Sequence, residues 1–203
     1  LLPWDLERER VLFLQMYYPY LTEEDLADHT RMTLYACGGD TEIPGWRAFS
    51  HPEGIYVGSR TRIHPTAICG LHLDNFEELP RIVIGRDCSV GAYSTISAVN
   101  RVEIGSSVRI AEGVRIADYV YDHRNLCLPS HHRQLADPQS TVVIGRGTSI
   151  EENVVIRGNV HIGRGCRIRA GCVIDSDFPD YVVVGGQPAR VEEAFSAKSG
   201  TWV

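Results

Sequence analysis

The sequence lacks the features that would place the protein in a membrane or on a nucleic acid. No apolar run approaches the roughly 18 to 20 residues that span a bilayer. The N-terminus does not combine a basic region, an apolar run and a small-residue cleavage site, as a secretory signal does. The formal net charge is −6, and Lys and Arg are not clustered along the chain. We therefore expect a cytoplasmic protein that binds small molecules or copies of itself, and neither nucleic acid nor a membrane.

The sequence also lacks any C-x-x-C pair. Cysteines at that spacing are typical of zinc sites, so its absence argues against a structural metal. Three cysteines lie four residues after an apolar residue of the repeat described below, at a position that takes a small buried side chain. We therefore expect reduced cysteines that pack in the core, and no metal site. The six cysteines are Cys37, Cys69, Cys88, Cys127, Cys166 and Cys172.

What the sequence does have is a repeat of six residues. In the stretch IGRGTSIEENVVIRGNVHIGRGCRIRAGCVI, residues 144–174, Ile occurs at every sixth position. The residue after the apolar one is often Gly or Ala. This double register indicates a repeat architecture. The fifth residue of each six is small or β-branched: Thr61, Ala67, Cys88, Ser94, Val108, Val114, Val120, Thr148, Val154, Val160, Cys166 and Cys172.

The period of six predicts a triangular coil of short parallel strands. Three sixes, each a strand and a turn, close one coil, and the apolar residues stack inside it. The small fifth residues fit near the corners, and Gly after the apolar residue relieves strain where φ is positive. Each coil pairs with the next at the strand spacing, so stability builds by stacking. A β-sandwich does not keep this phase, and the recurrence of GRG at 145–147 and 163–165 indicates corner turns rather than phosphate-binding loops.

Three segments interrupt the repeat. Residues 1–50 carry no period of six, and their pattern, with Thr22 as a candidate N-cap, predicts two helices. Residues 70–81 are an insertion, and residues 117–141 form a long loop because the apolar residues on either side are 28 residues apart. Long loops on a rigid scaffold are where function tends to lie. The chain divides into a helical segment at 1–50, a β-helix at 51–186, and a turn with a short helix at 187–203.

The last repeats and the sequence after them resemble the hexapeptide-repeat acyltransferases, the superfamily of the maltose, galactoside and polysaccharide O-acetyltransferases. The resemblance covers roughly residues 57–186, and its most specific element is the closing motif Gly-Gln-Pro-Ala-Arg at 186–190. It implies a left-handed parallel β-helix and a homotrimer. It also implies that acetyl-CoA donates an acetyl group to a hydroxyl or an amine at sites between the subunits.

The resemblance assigns the catalytic base. In this family the base is a His in the loop that leaves the prism before the last coils, which here is His123 in the sequence YVYDHRN, with Asp122 in support. An imidazole that titrates near neutral pH can remove the proton of a hydroxyl as it attacks a thioester. His131 and His132, farther along the loop, are alternatives for the base, and a merely exposed loop histidine is another.

The resemblance also implies the contacts with the acyl donor. The family's Ala-Gly pair contacts the pantetheine arm through its backbone, which assigns this role to Ala170 and Gly171. A basic residue of the closing motif approaches the CoA phosphates, which assigns this role to Arg190 and suits its fork of donors. Ser176 stands where the family often has a Lys, and it is assigned to the donor site by that position.

Two departures from the family narrow the range of expected acceptors. The maltose and galactoside branch has polar sugar-binding residues near positions that are Gly91 and Val99 here. The family's Trp-Ile-Gly is replaced by residues 149–151, Ser-Ile-Glu. We therefore expect O-acetylation of a sugar or related acceptor in surface-polysaccharide, sugar-nucleotide or natural-product biosynthesis.

Three other functions remain open on the sequence alone. N-acetyl transfer to an amino sugar or amine would use the same fold and base. A non-catalytic β-helix that only assembles would not need an Asp-His pair on a long loop. A γ-type carbonic anhydrase is built on the same prism and needs three His around zinc. His123, His161 and the pair His131-His132 supply the ligand type, although adjacent histidines rarely share a metal.

Overall fold

The part of the chain that the structure describes is built mainly of short β-strands and turns. The computed structural model describes residues 30–43, 48–71, 80–122, 135–137, 139–197 and 199–203. Residues 30–33 are α-helical, and Pro52–Gly54 form a 3₁₀ turn. Within these ranges, no helix is long and apolar enough to cross a membrane. The strands are β1 (Ala36–Cys37), β2 (Phe49–Ser50), β3 (Ile55–Val57), β4 (Arg62–Ile63), β5 (Ile68–Leu71), β6 (Ile82–Ile84), β7 (Ser89–Val90), β8 (Thr95–Ala98), β9 (Arg101–Ile104), β10 (Arg109–Ile110), β11 (Arg115–Ala117), β12 (Thr141–Ile144), β13 (Ser149–Ile150), β14 (Val155–Arg157), β15 (Val160–Ile162), β16 (Arg167–Ile168), β17 (Val173–Ile174), β18 (Val182–Gly185), β19 (Arg190–Ser196) and β20 (Thr201–Trp202).

The strands form three sheets that the chain visits in turn. The first sheet has the order β1-β3-β6-β9-β12-β15, the second β20-β19-β18-β16-β13-β10-β7-β4, and the third β17-β14-β11-β8-β5-β2. From β3 to β17, each strand joins the sheet that follows the one its predecessor joined, so three strands close one coil. The predicted mainly β, parallel β-helix is thereby confirmed. We name the corners of the prism by the sheets they join: first–second, second–third and third–first.

The predicted Ile ladder lies inside the prism and is in register from coil to coil. Ile144 pairs with Ile162 in the next coil and with Ile104 in the preceding one, across the long loop. Every Ile of the 144–174 stretch is at most 1% exposed. A fully buried Ile contributes roughly 1.5–3 kcal/mol of hydrophobic free energy, so this ladder is the main source of stability.

The fifth residues of the repeat lie at the corners, and the hydroxyls among them connect successive coils. Thr148 Oγ1 donates to the carbonyl oxygen of Gly163 at 2.9 Å and accepts the backbone N–H of Cys166 at 3.2 Å. The three cysteines at this position are at most 3% exposed, as predicted. Val120 is an exception at 38% exposed, because it lies beyond β11 in the loop.

The glycine after the apolar residue is needed for a different reason from the one predicted. A Cβ on Gly145 would lie 2.5 Å from the backbone N of Arg164 in the next coil. The positive φ occurs two residues later, at 71° for Gly147 and 58° for Asp87. The prediction of a positive φ at the first glycine is therefore wrong. The close approach of stacked coils is what excludes a side chain there.

The C-terminus is a β-hairpin, so the short helix predicted within 187–203 is wrong. β19 pairs antiparallel with β18, and β20 pairs antiparallel with β19. β18 is the last strand of the parallel stack, and β19 covers the edge that it would otherwise expose. The rings of Phe195 and Trp202 contact each other edge to face, with centroids 5.6 Å apart.

Most of the predicted N-terminal helical segment lies outside the described residues, which begin at residue 30. The helical residues 30–33 coincide with the end of the second predicted helix. The first sheet begins directly afterwards, at β1. Most of the predicted insertion, residues 72–79, also lies outside the described ranges.

Candidate active site

A buried carboxylate fixes the start of the long loop between β11 and β12. Asp118 is 1% exposed, and its Oδ1 accepts the backbone N–H of Val99 at 2.8 Å. Its Oδ2 accepts the N–H groups of Asn100 and Arg101 at 2.7 and 2.6 Å. Burial raises the pKa of the Asp118 carboxyl, while these N–H donors oppose the shift. The preceding coil thus holds the point at which the chain leaves the prism.

The same turn also holds the end of the loop. Asn100 Nδ2 donates to the carbonyl oxygens of Gln139 and Ser140 at 3.1 and 3.2 Å. Between the two ends, the backbone N–H of Ala136 donates to the carbonyl oxygen of Val120 at 2.8 Å. Residues 99–101 therefore hold both ends of the loop. Between these ends, the outgoing and returning segments of the loop pair in antiparallel fashion. We call Asp118 and Asn100 the loop clamp.

The predicted catalytic pair begins where this closed base ends. Tyr121 forms an antiparallel bridge with Leu135, and the half-buried Asp122 follows it directly. His123 lies outside the described residues, and so do the alternative bases His131 and His132. The bridge therefore fixes the backbone two residues before His123.

Two tyrosines lie at the base of the loop. The rings of Tyr119 and Tyr121 contact each other edge to face, with centroids 5.8 Å apart. Burial raises the pKa of the Tyr119 hydroxyl, while its hydrogen bond with the Ser97 side chain opposes the shift. Ser97 is a residue of β8 in the third sheet, so Tyr119 lies against that sheet. The base of the loop is therefore aromatic as well as polar.

The turn predicted to hold the acyl donor lies at the second–third corner. Gly171 has a φ of 73°, and no other group lies within 4 Å of the position a Cβ would take. Its carbonyl oxygen accepts a hydrogen bond from Gln187 Nε2 at 2.6 Å, which joins the turn to the closing motif. The backbone N–H of Ala170 donates to Glu151 Oε2 at 3.1 Å. The turn is thus open on its outer side and held from both neighbouring coils.

Glu151 is itself held in place by an arginine. Arg167 Nη2 lies 2.6 Å from Glu151 Oε1, and Arg167 Nε donates to the same oxygen at 2.7 Å. This hydrogen bond, more than the charge of Arg167 or the bond from Ala170, lowers the pKa of the Glu151 carboxyl. The carboxylate is therefore ionised at neutral pH and presents a negative charge beside the Ala170 turn.

The remaining predicted donor contacts lie on other parts of the last coil. Arg190 is exposed and begins β19, where it pairs with Gly185. Ser176 is exposed and lies after β17, at the third–first corner. The structure therefore brings Ala170 and Gly171 next to the closing motif through Gln187, and it places Ser176 at a different corner.

Sequence reasoning missed Asp118 and Glu151 as residues of this region. Asp118 could have been found from its position, two residues after the interior Ile116 at the point where the repeat breaks. Glu151 was recognised only as a departure from the family, although Arg167 follows it at nearly one coil length. Each is a carboxylate at a corner, where it can accept N–H groups or face a cation of the neighbouring coil.

The described residues offer no metal centre and no reactive thiol. Among them, no three His, Cys, Asp or Glu side chains come together as a metal-ion site. The five cysteines in the described ranges are free. Burial raises the pKa of the Cys69 thiol to about 12, so it is a packing residue.

Comparison with known proteins identifies the repeat. The family described as bacterial transferase hexapeptide (six repeats) matches residues 141–176, which are β12 to β17 and the turn that follows. Residues 141–176 therefore carry the hexapeptide repeat of this transferase family. This confirms the resemblance drawn from the Ile ladder in these residues.

Two curated relatives match parts of the chain. A probable acetyltransferase from Mycobacterium tuberculosis is 34% identical over 111 residues, which are 55% of this chain and 34% of the relative. A 2,3,4,5-tetrahydropyridine-2,6-dicarboxylate N-acetyltransferase from Brevibacillus brevis is 40% identical over 58 residues, 29% of this chain and 25% of the relative. The chain therefore spans about a third or less of the length of these relatives.

Solved structures share the fold of this chain. The N-acyltransferase AntD from Bacillus cereus, in complex with dTDP-4-amino-4,6-dideoxyglucose and coenzyme A, superimposes with a TM-score of 0.68 at 18% identity, covering 85% of this chain and 90% of AntD. A maltose O-acetyltransferase from Clostridium difficile superimposes with a TM-score of 0.52 at 22% identity, covering 92% and 85% of the two chains. At these identities the likeness establishes the fold alone.

Proposed function

We propose that this protein transfers an acetyl group from acetyl-CoA to a hydroxyl of a sugar or related acceptor, with His123 as general base. The observation that carries the proposal is the base of the loop: Asp118 and Asn100 fix both of its ends, and the Tyr121–Leu135 bridge closes it two residues before His123. A scaffold that only assembles has no need for a buried carboxylate to hold an Asp-His pair. The match of residues 141–176 to a transferase hexapeptide family supports the proposed reaction class.

The proposed reaction needs no covalent intermediate on the protein. The imidazole of His123 removes the proton of the acceptor hydroxyl as the oxygen attacks the thioester carbonyl of acetyl-CoA. The tetrahedral intermediate collapses, the C–S bond breaks, and the imidazolium returns the proton to the CoA thiolate. Asp122, the neighbouring carboxylate, is assigned to stabilise the imidazolium. The acceptor gains an acetyl ester, and free CoA leaves.

The donor groove is proposed along the Ala170–Gly171 turn. The open space beside Gly171 admits an extended pantetheine arm, and Arg190 is assigned to the CoA phosphates because a guanidinium binds phosphate through several N–H donors. The Ala170 N–H already donates to Glu151, so carbonyl groups of this turn are left to accept the amide N–H groups of pantetheine. Ser176, at the end of the same coil, is a further assigned contact.

The proposal includes a left-handed winding and a homotrimer with the sites between subunits. In one chain, the loop leaves from the third–first corner, whereas the donor turn lies at the second–third corner. A loop that reaches the neighbouring subunit would bring the base of one chain to the donor groove of another. Two chains would then build each site.

N-acyl transfer is the second candidate. AntD was crystallised with an amino sugar nucleotide, and the Brevibacillus brevis relative is an N-acetyltransferase. An amine attacks only in its neutral form, so the same histidine base would serve it. The aromatic pair Tyr119 and Tyr121 fits either acceptor, because the apolar face of a sugar or a base can pack on such rings.

A two-step experiment tests the proposal. Acetyl-CoA should raise the thermal midpoint of the protein, because a ligand that binds only the native state stabilises it. Release of CoA thiol should then be measured with matched acceptors that carry a hydroxyl or an amino group at the same sugar carbon. Turnover only with the amino sugars would select the second candidate. No thermal shift at millimolar acetyl-CoA would favour a scaffold, and stoichiometric zinc by elemental analysis would favour the carbonic anhydrase.

A further inference from the structure

A positively charged cleft lies at the first–second corner of the prism, away from the loop and the donor turn. Its volume is about 540 Å³, and its lining includes Arg60, Arg86, Ser106, Arg146, Arg164 and Tyr181. In the sequence these arginines are 18 or more residues apart, so no basic cluster is visible there. Stacking of the coils brings them onto one corner.

The cleft takes its shape from one coil with small side chains. Ser106 and Ser107 occupy the corner between β9 and β10, whereas the flanking coils carry Arg86 and Arg146 at the same position. Successive coils are about 4.8 Å apart, so the two arginine backbones stand about 10 Å apart across the serines. Ser106 thus lies in a notch of the cleft lining, with Arg86 on one side and Arg146 on the other.

The other charges of the cleft are already neutralised. Arg60 Nε and Nη2 donate to the two carboxylate oxygens of Asp87 at 2.7 and 2.8 Å. These bonds, with a smaller effect from the charge of Arg86, lower the pKa of Asp87. Arg164 Nε donates to Asp180 Oδ2 at 2.9 Å.

Two guanidinium groups therefore face the cleft without a carboxylate partner. No ion pair within the described part of the chain involves Arg86 or Arg146. The cleft thus has an excess of two positive charges in a chain whose formal net charge is −6. Like charges held around a notch favour binding of an anion, because the ligand removes their mutual repulsion.

The end of the cleft at Arg164 is held rigidly. The guanidinium carbon of Arg164 lies 5.3 Å from the centre of the Tyr181 ring. A Cβ on Gly165 would lie 2.6 Å from the same ring, so the tyrosine packs directly on the glycine. The ion pair to Asp180 and the tyrosine contact together hold the Arg164 end in place.

We propose that this cleft binds a diphosphate group, with Arg86 and Arg146 each holding one phosphate and the serine hydroxyls donating between them. Guanidinium groups suit this role because their planar N–H pairs match two phosphate oxygens at once. A diphosphate has the charge and length to contact both walls of the notch. The site is separate from the donor groove and does not depend on the acyl-transfer proposal.

Titration calorimetry with inorganic pyrophosphate tests the site. Arg86→Ala and Arg146→Ala should each raise Kd about tenfold or more, since a charged hydrogen bond contributes about 1.5–3 kcal/mol. Arg109→Ala is the matched control, because Arg109 is an exposed arginine of β10 outside the cleft lining. Its Kd should equal that of the wild type. Absence of pyrophosphate binding, or equal weakening in all three variants, overturns the proposal.

Two further arms identify the source of the diphosphate and its independence from the donor. Binding of a nucleoside diphosphate much tighter than pyrophosphate identifies a nucleotide ligand, and equal binding identifies a free polyphosphate; either supports the site. Saturating CoA should leave the Kd of pyrophosphate unchanged. If CoA displaces pyrophosphate and the two arginine variants also weaken CoA binding, the cleft belongs to the donor site and the proposal of a separate site is wrong.

Discussion

The backbone N–H of Arg101 donates to the buried carboxylate of Asp118 at 2.6 Å, from one coil to the next. Arg101 begins β9 in the first sheet, and Asp118 directly follows β11 in the third. One bond therefore connects the coil before the long loop to the residue at which that loop begins. The position of Asp122 depends on this corner. So does the position of β12, the strand at which the regular repeat resumes after the loop.

Replacement of Asp118 should destabilise the protein more than replacement of an exposed loop aspartate. Asp118→Ala leaves three part-buried N–H donors without their carboxylate partner, which should cost about 1–3 kcal/mol in the free energy of unfolding. Asp137→Ala is the control, since Asp137 is exposed and its carboxylate accepts the N–H of Gln139 at 2.9 Å. Urea denaturation measures both. Equal destabilisation of the two variants would show that Asp118 contributes no more to stability than an exposed aspartate does.

The free energy of unfolding should depend on the volume of the interior Ile side chains. It should depend much less on the side chains of the outer face of the same strand. Ile162 is 0% exposed in β15, whereas its neighbour His161 is exposed. Ile162→Ala should reduce the free energy of unfolding by about 2–5 kcal/mol, and Ile162→Asp should unfold the C-terminal coils. His161→Ala should have little effect on the thermal midpoint. If His161→Ala destabilised the protein as much as Ile162→Ala, the assignment of Ile162 to the core and of His161 to the surface would be contradicted.

Two glycines of one corner should respond differently to alanine. Gly145→Ala forces a Cβ to 2.5 Å from the backbone of the next coil, so the coils must separate. Gly147→Ala meets no atom within 4 Å and costs only the strain of a positive φ, about 1–2 kcal/mol. Chemical denaturation should therefore find Gly145→Ala the less stable variant. The opposite order would mean that backbone conformation, and not coil stacking, selects glycine at this corner.

The Glu151–Arg167 pair should make stability depend on pH in the acid range. Because the pKa of Glu151 is lowered in the folded protein, its contribution is complete above the unfolded pKa, about 4.3, and is lost as the pH falls through the folded pKa. The difference in thermal midpoint between wild type and Glu151→Gln should be constant near neutral pH and shrink below about pH 4. A difference that persists unchanged at acid pH would contradict the pairing.

The sequence predicted the parts of the fold that depend on local spacing. The period of six placed Ile144 and Ile162 correctly as neighbours, because every coil repeats the same local geometry. The C-terminal residues form strand β19 and not the predicted helix, because the pairing of β19 with β18 depends on an exposed edge formed elsewhere in the chain. The reason for Gly145 was also wrong, since the contact that excludes a side chain comes from the next coil.

Residues of the candidate site could be predicted from the sequence only where they belong to a recognisable motif. The family's Ala-Gly pair led to Ala170 and Gly171, and the structure joins these residues to the closing motif through Gln187. Asp118 and the cleft arginines belong to no motif, because their neighbours are a coil or more away along the chain. Such contacts follow from the stacking of the coils and become visible only with the fold.

The most direct test of the account is the rate of acetyl transfer in His123→Ala, with His161→Ala as the matched control. We predict that kcat falls by about 10²–10⁴ in His123→Ala, while the affinity for acetyl-CoA and the oligomeric state stay unchanged. We also predict that the acidic limb of the wild-type pH–rate profile, near the pKa of a histidine, is lost. His161→Ala should keep the wild-type kcat. A near-normal kcat in His123→Ala, or a loss in His131→Ala or His132→Ala instead, would contradict the assignment of His123 as the base.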